Sequence, residues 1–529
     1  MAAVAGGVGE DRPEFPLVLT AAEMRAADAA ATRDLGLPSL LLMENAGRGI
    51  AEIVRREAGA QPPGRTPQVA VVCGGGSNGG DGFVVARHLA RVGLPVRVLL
   101  TVPRGKIRGD AALALGAVER MFLAVEDGSG WTEQTPWRAR LGEATVIVDA
   151  IFGTGFHGPV TDVPAVALQA MNEARAARIA IDVPSGLDAD TGRAEGIVFR
   201  ADLTATVGAW KIGLLVDASA PVGRVEVVDL GVPVAAVNAR CRLLDDRGIV
   251  ARLPHRSAWA HKGSSGELLV VAGSAGKTGA ALLVGQGALR AGAGLVTIAT
   301  TAAGQIALDA KVIELMTARY TEGDDADPAT AVAALTALAK RAQALAIGPG
   351  IPTGARMRAL VRQLAARLSV PMVLDADALN ALGTEAAGLL ATAPSVRILT
   401  PHPGEMGRLL GIGISDVQAD RLGHARRLAA DAHAVVVLKG ARTVIAAPDG
   451  FAYVSPIACG SLATAGSGDV LCGVIGALLA RQLDPLTAAQ VGVYVHGLAG
   501  QELAIQLGDG LVAGDLPRGI ATVMARLAK

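Results

Sequence analysis

Aromatic residues are scarce in this chain: four Trp, three Tyr and seven Phe, 3% of 529 residues. Its core therefore has to be built from Ala, Val, Leu and Ile. Cysteine is equally rare, with Cys73, Cys241, Cys459 and Cys472 far apart and no CxxC pair. That excludes a disulfide framework or a zinc knuckle and fits a reducing cytoplasm. Net charge is missing too, because 49 Lys and Arg balance 49 Asp and Glu. Bulk attraction to nucleic acid or to an acidic membrane is thereby excluded as an expectation. Long apolar runs are absent: the longest goes from Val470 to Ala480, between Asp469 and Arg481, far short of the roughly 18 residues of a membrane span. Met1 to Phe15 carries Glu10, Asp11 and Glu14 around no apolar stretch, which is not a signal peptide. The expectation is a soluble, cytoplasmic protein.

Small and aliphatic residues are what the chain has. Its 67 glycines show no period of three, which excludes collagen, and 51% hydrophobic content excludes a disordered chain. At about 150 residues per domain, the length predicts two to four domains.

Thr20-Ala-Ala-Glu23 reads as a capping box opening an Ala-rich helix toward Asp34. Gly36-Leu-Pro38 interrupts it, Leu40 to Arg55 predicts a second helix, and Pro62-Pro63-Gly64 a loop. An alternation then begins: strand Val69 to Val72, helix Asp81 to Val92, and strands Val96 to Val102, Thr145 to Val148 and Arg178 to Ile181. Apolar strands alternating with helices predict a largely parallel sheet covered on both faces. Val225 to Ala239 reads as the end of this unit.

A second start follows at Leu243-Leu244-Asp245-Asp246, with an Asp capping a helix toward Leu253 and a polar loop from Pro254 to Gly266. Strands are predicted at Glu267 to Ala272, Leu295 to Thr300, Leu345 to Ile347, Met372 to Leu374, Val396 to Leu399 and Val435 to Leu438, with a helix at Thr278 to Ala291. Thr443 to Ala447 and Phe451 to Val454, joined through Asp449-Gly450, predict a hairpin. Long helices run from Val470 onward. The predicted division is 1–240 and 241–529.

Three polar strand ends stand out in the first unit. Gly74-Gly-Gly-Ser-Asn-Gly-Gly-Asp-Gly82 joins a strand to a helix, where glycines and free amides suit a phosphate. Asp149 is followed by Gly153-Thr-Gly155-Phe-His-Gly158-Pro159, and Asp182 by Val-Pro184-Ser185-Gly186. Ligands of doubly wound sheets sit outside such strand ends. Asn, Asp and Ser oxygens suit a hard cation. A plain glycine turn, and strand-end caps at Asp149 and Asp182, are the alternatives.

In the second unit, Gly273-Ser-Ala-Gly276-Lys277-Thr278 mimics a phosphate loop, but Val271 occupies the place of the first Walker glycine, so Lys277 reads as a surface lysine. Ala465-Gly466-Ser467-Gly468-Asp469 opens a helix whose amides could hold a phosphoryl group beside Asp469 as a base. The alternative for Asp469 is a dipole-stabilising acid in a first turn. Strands also end in Gly348-Pro349-Gly350, in Thr400-Pro-His402-Pro-Gly-Glu405 and in Lys439-Gly440-Ala441-Arg442-Thr443, whose basic groups could neutralise nucleotide phosphates.

SNGGDGFVVAR, VDAIFGTGFHGP and IDVPSGLDADTG together resemble the NAD(P)H-hydrate epimerase family over most of residues 20 to 232. That family usually has two Asn before GGDG; here the first is Ser77. HKGSSG, GPG, TPHPGE, LKGARTVI and AGSGD resemble the ADP/ATP-dependent NAD(P)H-hydrate dehydratases over about residues 243 to 525. The resemblance implies an α/β protein, with an N-terminal Rossmann-like doubly wound domain followed by a ribokinase-like α/β domain. It implies a bifunctional repair enzyme that interconverts the R and S forms of hydrated NADH or NADPH and dehydrates the S form. ADP would be consumed to AMP and phosphate, with magnesium.

Carried over by motif, a potassium ion falls to Asn78, Asp149 and Ser185. The hydrated dinucleotide of the epimerase falls to Ser77, Asn78, Gly79, Gly80 and Asp81, to Gly153, Thr154, Gly155, Phe156, His157, Gly158 and Pro159, and to Asp182, the candidate acid–base group. In the dehydratase, Ala280, Gly350, His402 and Asp469 would contact the hydrate; Lys439, Gly440, Ala441, Arg442, Thr443 and Gly468 would hold the nucleotide; Asp469 would be the catalytic base. The implied partners are these small molecules, with no nucleic acid and no membrane; a homo-oligomer is compatible with the pattern. Two rivals stand beside this reading: a ribokinase-like small-molecule kinase carrying a dinucleotide-binding domain, and a binding protein without turnover.

Overall fold

The computed structural model describes residues 14–60, 66–217, 219–232, 238–321 and 328–529. The expected loop at Pro62-Pro63-Gly64, most of Met1 to Phe15 and residues 233–237 lie outside them. The chain divides into two compact units, one of residues 17–239 and one of residues 240–529 joined by the segment that ends at Pro16. Among the described residues no helix is long and apolar enough to cross a membrane.

In the first unit the strands are β1 (Val18–Leu19), β2 (Val69–Cys73), β3 (Val96–Leu100), β4 (Ala124–Asp127), β5 (Val146–Ala150), β6 (Ala177–Ile181), β7 (Leu203–Val207), β8 (Trp210–Lys211) and β9 (Arg224–Val228). Seven of them form a parallel sheet in the order β4-β3-β2-β5-β6-β7-β9, and β1 pairs with β8. The continuous apolar strands are explained by burial on both faces: Val69, Val71 and Cys73 enter one core cluster, Ala70 and Val72 the other. The short pair β1 and β8, together with β4, β7 and β9, has no counterpart among the expected strands, and for β4 and β7 the physical reason is plain. β4 is a half-exposed edge strand without an apolar run. β7 interleaves Thr204 and Thr206, both buried, with the Thr204 hydroxyl bonded to the Val222 carbonyl at 2.7 Å.

The Thr20 capping box forms as expected, Thr20 Oγ1 accepting from the Glu23 amide at 3.1 Å and Glu23 Oε2 from the Thr20 amide at 2.8 Å. The helix expected from Asp81 instead begins at Ser77 and runs as Ser77–Arg91. Glycines in a helix cost about 1 kcal/mol each against Ala, but here they permit contact. A Cβ on Gly79 would collide with the Gly74 carbonyl, and one on Gly80 with the Met43 thioether.

The second unit adds β10 (Cys241–Leu243), β11 (Glu267–Val271), β12 (Leu295–Thr301), β13 (Met316–Thr321), β14 (Ala344–Ile347), β15 (Met372–Leu374), β16 (Arg397–Leu399), β17 (Val435–Leu438), β18 (Val444–Ala446) and β19 (Ala452–Val454). They form one sheet in the order β10-β19-β18-β17-β16-β15-β14-β11-β12-β13. Among the described residues only β17-β18 and β18-β19 pair antiparallel, the latter being the expected hairpin. Asp245 caps the short helix Asp246–Val250, accepting from the Gly248 amide at 2.8 Å. Phe15 is buried in this unit's core, edge-on to Tyr453 at 5.9 Å and beneath the Arg252 guanidinium at 4.3 Å.

Arg397, at the start of β16, is buried to 1% exposure and has no carboxylate partner among the described residues. Its guanidinium donates to the carbonyls of Ala365 at 2.9 Å, Leu368 at 2.5 Å and Val370 at 3.2 Å, and to the Ser395 hydroxyl. Ala365 belongs to the last turn of helix Ala355–Arg367, where carbonyls lack helical partners. Burial pulls the Arg397 pKa down to about 10. Arg397→Ala is expected to cost about 3 kcal/mol, since it strands several buried acceptors. Arg397→Lys recovers part of this at most, having no planar fork of donors. Denaturant unfolding of the second unit measures both.

Candidate active sites

β2 and β5 are neighbours, yet the chain leaves β2 toward β3 and returns on the other side to β5. Crevices of doubly wound sheets open at such a switch point. A cavity of about 650 Å³ lies there, lined by Gly75 to Asn78, Asp81, Gly153 to His157 and Asp182, and also by Asp28 and Lys211. Asp182 follows β6 at a φ of 65°, a strained conformation for a residue with a side chain. Lys211 is 0% exposed and holds it there. Its ammonium donates to Asp182 Oδ1 at 2.5 Å, Thr206 Oγ1 at 3.0 Å and the Val207 carbonyl at 2.5 Å. The other oxygen, Asp182 Oδ2, accepts from the Thr154 amide at 3.3 Å.

Asn78, Asp149 and Ser185 meet around the backbone of Phe152, below the cavity wall. Asn78 Nδ2 donates to the Phe152 carbonyl at 2.9 Å, and the Phe152 amide donates to Ser185 Oγ at 2.8 Å. Ser185 Oγ donates to Asp149 Oδ1 at 2.6 Å, and its amide donates to Oδ2 at 2.8 Å. Asp149 is wholly buried, and burial pushes its carboxyl up to about 6 against these hydrogen bonds. Two oxygen side chains, a carboxylate and a carbonyl thus share one small volume, a donor set that suits a hard cation.

Other expected residues have different settings. Gly79 and Gly80 are buried packing positions of helix Ser77–Arg91. Gly158 and Pro159 continue the loop past the cavity lining. His157 Nδ1 is 2.9 Å from Asp188 Oδ2. Asp28 and Lys211 were missed. Lys211 stands alone in an apolar stretch, Ala209-Trp210-Lys211-Ile212, and such an isolated charge was the available signal. Burial raises the Asp28 carboxyl to about 6; Lys211 opposes this and Asp182 adds to it. Asp81 is pushed well above the carboxylate range by burial and by Asp182 and Asp28.

In the second unit a cavity of about 440 Å³ is lined by Asp375, His402, Glu405, Lys439, Gly440, Ala441, Thr443, Gly468, Asp469 and His496. Asp375, Lys439 and His402 follow the ends of β15, β17 and β16. Asp469 sits in the first turn of helix Ser467–Ala480, behind Gly466 at a φ of 88°. The Ser467 amide is taken by the Thr464 carbonyl at 3.3 Å, whereas the Gly468 and Asp469 amides have no protein acceptor among the described residues. His496, buried and absent from the sequence reading, donates from Nε2 to the Ser467 carbonyl at 3.0 Å and steadies this turn. Burial lowers its pKa to about 4, so the ring is neutral.

Lys439, expected at the nucleotide, donates to Asp375 Oδ1 at 2.6 Å and lies 3.8 Å from Glu405 Oε2. Burial favours its neutral amine, but Asp375 and Glu405 outweigh that and raise its pKa. Asp469 is pushed up to about 7 by burial and by Asp375, with Lys439 pulling the other way. His402 caps helix Pro403–Leu410, Nδ1 accepting from the Gly404 amide at 3.0 Å, while Glu405 Oε2 accepts from the His402 amide at 2.8 Å. Thr443 Oγ1 donates to the Gly440 carbonyl at 2.9 Å, and Arg442, at a φ of 54°, lies outside the lining. Ala280 and Gly350 meet each other but do not line this cavity: a Cβ on Gly350 would lie 3.2 Å from Ala280 Cβ. Lys277 is half exposed, 3.5 Å from Asp377. A carboxyl poised near neutrality beside two free amides can take a hydroxyl proton while an anion rests on the amides.

The family described as NAD(P)H-hydrate dehydratase matches residues 268–521, and that described as YjeF-related protein N-terminus matches residues 39–213. The bifunctional NAD(P)H-hydrate repair enzyme Nnr of Moorella thermoacetica is 43% identical, covering 94% of this chain and 95% of its own. The enzyme of the same description from Escherichia coli is 35% identical over 93% of this chain and 91% of its own. Among solved structures, the ADP/ATP-dependent NAD(P)H-hydrate dehydratase from Bacillus subtilis, co-crystallised with ATP and Mg2+, is 34% identical. It covers 54% of this chain and 98% of its own, with a TM-score of 0.48.

Asp375→Asn removes the charge that most strongly opposes ionisation of Asp469. The Asp469 pKa should therefore fall by about one unit, visible in carboxyl-carbon NMR titration. Lys211→Met breaks a buried ion pair and should destabilise the first unit by about 3–5 kcal/mol, read from its denaturant midpoint.

Proposed function

The chain belongs to the bifunctional NAD(P)H-hydrate repair enzymes, and from that premise we propose how its two cavities divide the work. It is an enzyme that epimerises hydrated NADH and NADPH and dehydrates the S form with ADP. Relatives so named match over both units, which disfavours a stand-alone small-molecule kinase.

The first unit carries the epimerase. The hydrated nicotinamide ring enters the cavity between the glycine loop and residues 153–157, with Asp182 at the reacting carbon as acid–base group. Its anchoring by Lys211 and the Thr154 amide fixes the carboxylate's orientation, the preorganisation that proton transfer needs. Asn78, Asp149, Ser185 and the Phe152 carbonyl fit a potassium ion, which when bound would add positive charge beneath the cavity and stiffen the loop after β5.

The second unit carries the dehydratase, and the observation that carries this reading is Asp469. It pairs a pKa raised to about 7 with the free amides of its own helix turn. Asp469 takes the proton of the 6-hydroxyl, and the oxygen attacks the terminal phosphoryl of ADP, releasing AMP. Phosphate then leaves with the C6–O electron pair while a proton is lost from C5 and the ring double bond returns. The Gly468 and Asp469 amides offset phosphoryl charge. Lys439, Gly440, Ala441 and Thr443 face the nucleotide, His402 the hydrate, and magnesium enters on the nucleotide phosphates. Ala280 and Gly350, at the β11/β14 switch point, extend the hydrate site.

Asp469→Asn should lower dehydration of the S form by at least about 100-fold and leave epimer exchange intact. Recovery of the near-ultraviolet absorbance of reduced nicotinamide, with and without ADP, measures the first; chromatographic separation of R and S measures the second. Undiminished recovery in the variant would remove Asp469 as the base.

A further inference from the structure

The first cavity holds more carboxyl groups than one acid–base residue requires. Asp28, Asp81 and Asp182 all line it, together with Lys211. Asp182 is engaged at both oxygens. Asp28 is the opposite: it accepts no hydrogen bond from any described residue and meets Lys211 and Asp182 only through their charges. It also arrives from a separate element, the helix Ala21–Leu35, whose Met24 and Arg25 line the same cavity. Asp182 arrives from the end of β6.

We propose that Asp28 is a catalytic residue of the epimerase, the acid that works with Asp182 as base across the hydrated ring. This rests on the epimerase reading of the cavity. C6 of the hydrate bears both the hydroxyl and the ring nitrogen N1, so its configuration inverts if the C6–N1 bond opens and recloses on the other face. Asp182 takes the hydroxyl proton, and the O–H electron pair becomes the second C6–O bond. The C6–N1 pair moves onto N1, which takes the proton of Asp28. Rotation about C5–C6 presents the opposite face of the aldehyde. The same steps reversed close the ring, return a proton to Asp28 from N1 and pass the Asp182 proton to oxygen. Both groups end as they began, and no co-reactant is consumed. A single carboxyl serving both oxygen and nitrogen would have to reach both at once.

The remaining charged groups around Asp28 are consistent with this role. Asp81, on helix Ser77–Arg91, is raised well above its ordinary value by burial, Asp182 and Asp28, with Lys211 pulling the other way. Lys211 favours ionisation of Asp28, Asp182 and burial oppose it, and the balance near 6 lets Asp28 give and regain a proton close to neutrality. Arg25 on the same helix and the titratable His157 on the loop after β5 complete the ionisable lining.

The test uses the full chain and follows R–S exchange without nucleotide. Asp28→Asn should reduce kcat for exchange by about 100-fold or more, with KM changed by no more than about threefold. Dehydration of the S form with ADP should be unchanged. In the wild type, exchange should fall as pH rises past about 6, as Asp28 loses its proton; the residual rate of Asp28→Asn should lack that limb. Asp28→Glu, which keeps a carboxylic acid, should retain at least about a tenth of the rate. Exchange within about threefold of wild type in Asp28→Asn, or equal losses in Asn and Glu variants, would overturn the proposal. A wild-type chain with no exchange would instead overturn the epimerase reading itself.

Discussion

A parallel strand leaves its last backbone groups at one edge of the sheet, and in both units that edge has to be satisfied by the residue that comes next. The Gly74 amide donates to the Ala150 carbonyl at 2.9 Å, Asp182 to Ala205 at 2.9 Å, Asp375 to Ile347 at 3.0 Å and Lys439 to Pro401 at 2.8 Å. Each of these bonds fixes the first residue beyond a strand, and with it the start of a polar loop. Side chains drawn from separate stretches of chain therefore converge without any of them being close in sequence.

Convergence concentrates acids where water is thin, and one lysine in each unit offsets part of that cost. Lys211 is committed to Asp182, and Lys439 to Asp375. Neither ammonium neutralises every carboxyl around it. Asp28 in one cavity and Asp469 in the other are left with pKa values of about 6 and about 7, displaced chiefly by burial. A carboxyl in that range holds or releases its proton at neutral pH, which is the property acid–base chemistry draws on. The same physical device thus arises twice on two different sheets.

Backbone strain marks the same edges. Asp182, Ala376 and Arg442 adopt φ values of 65°, 49° and 54°, each within a few residues of a strand end. Such conformations cost of order 1–3 kcal/mol. At Asp182 the cost is offset by the lysine, the two threonine-strand contacts and the Thr154 amide that grip its carboxylate.

Most of the secondary structure and the positions of the polar strand ends are legible in the chain alone. Apolar runs bounded by glycine and proline suffice to mark a strand buried on both faces, and Thr20, Asp245 and the glycine-rich motifs carry local capping chemistry that needs no distant partner. Edge strands such as β4 and β13 were not legible, because half-exposed strands have no apolar run. The start of the helix at Ser77 was hidden because its glycines are chosen for contact with Gly74 and Met43, not for propensity. Asp149 and Ser185 were readable as a pair of oxygen ligands, but their closure around Phe152 was not. Asp28, Lys211, Asp375 and His496 carry no motif of their own. Their settings come from the fold alone, since what distinguishes a buried, partnered or displaced ionisable group is the set of neighbours brought to it from other strands and helices, which lie up to 183 residues away in the chain for Asp28 and Lys211.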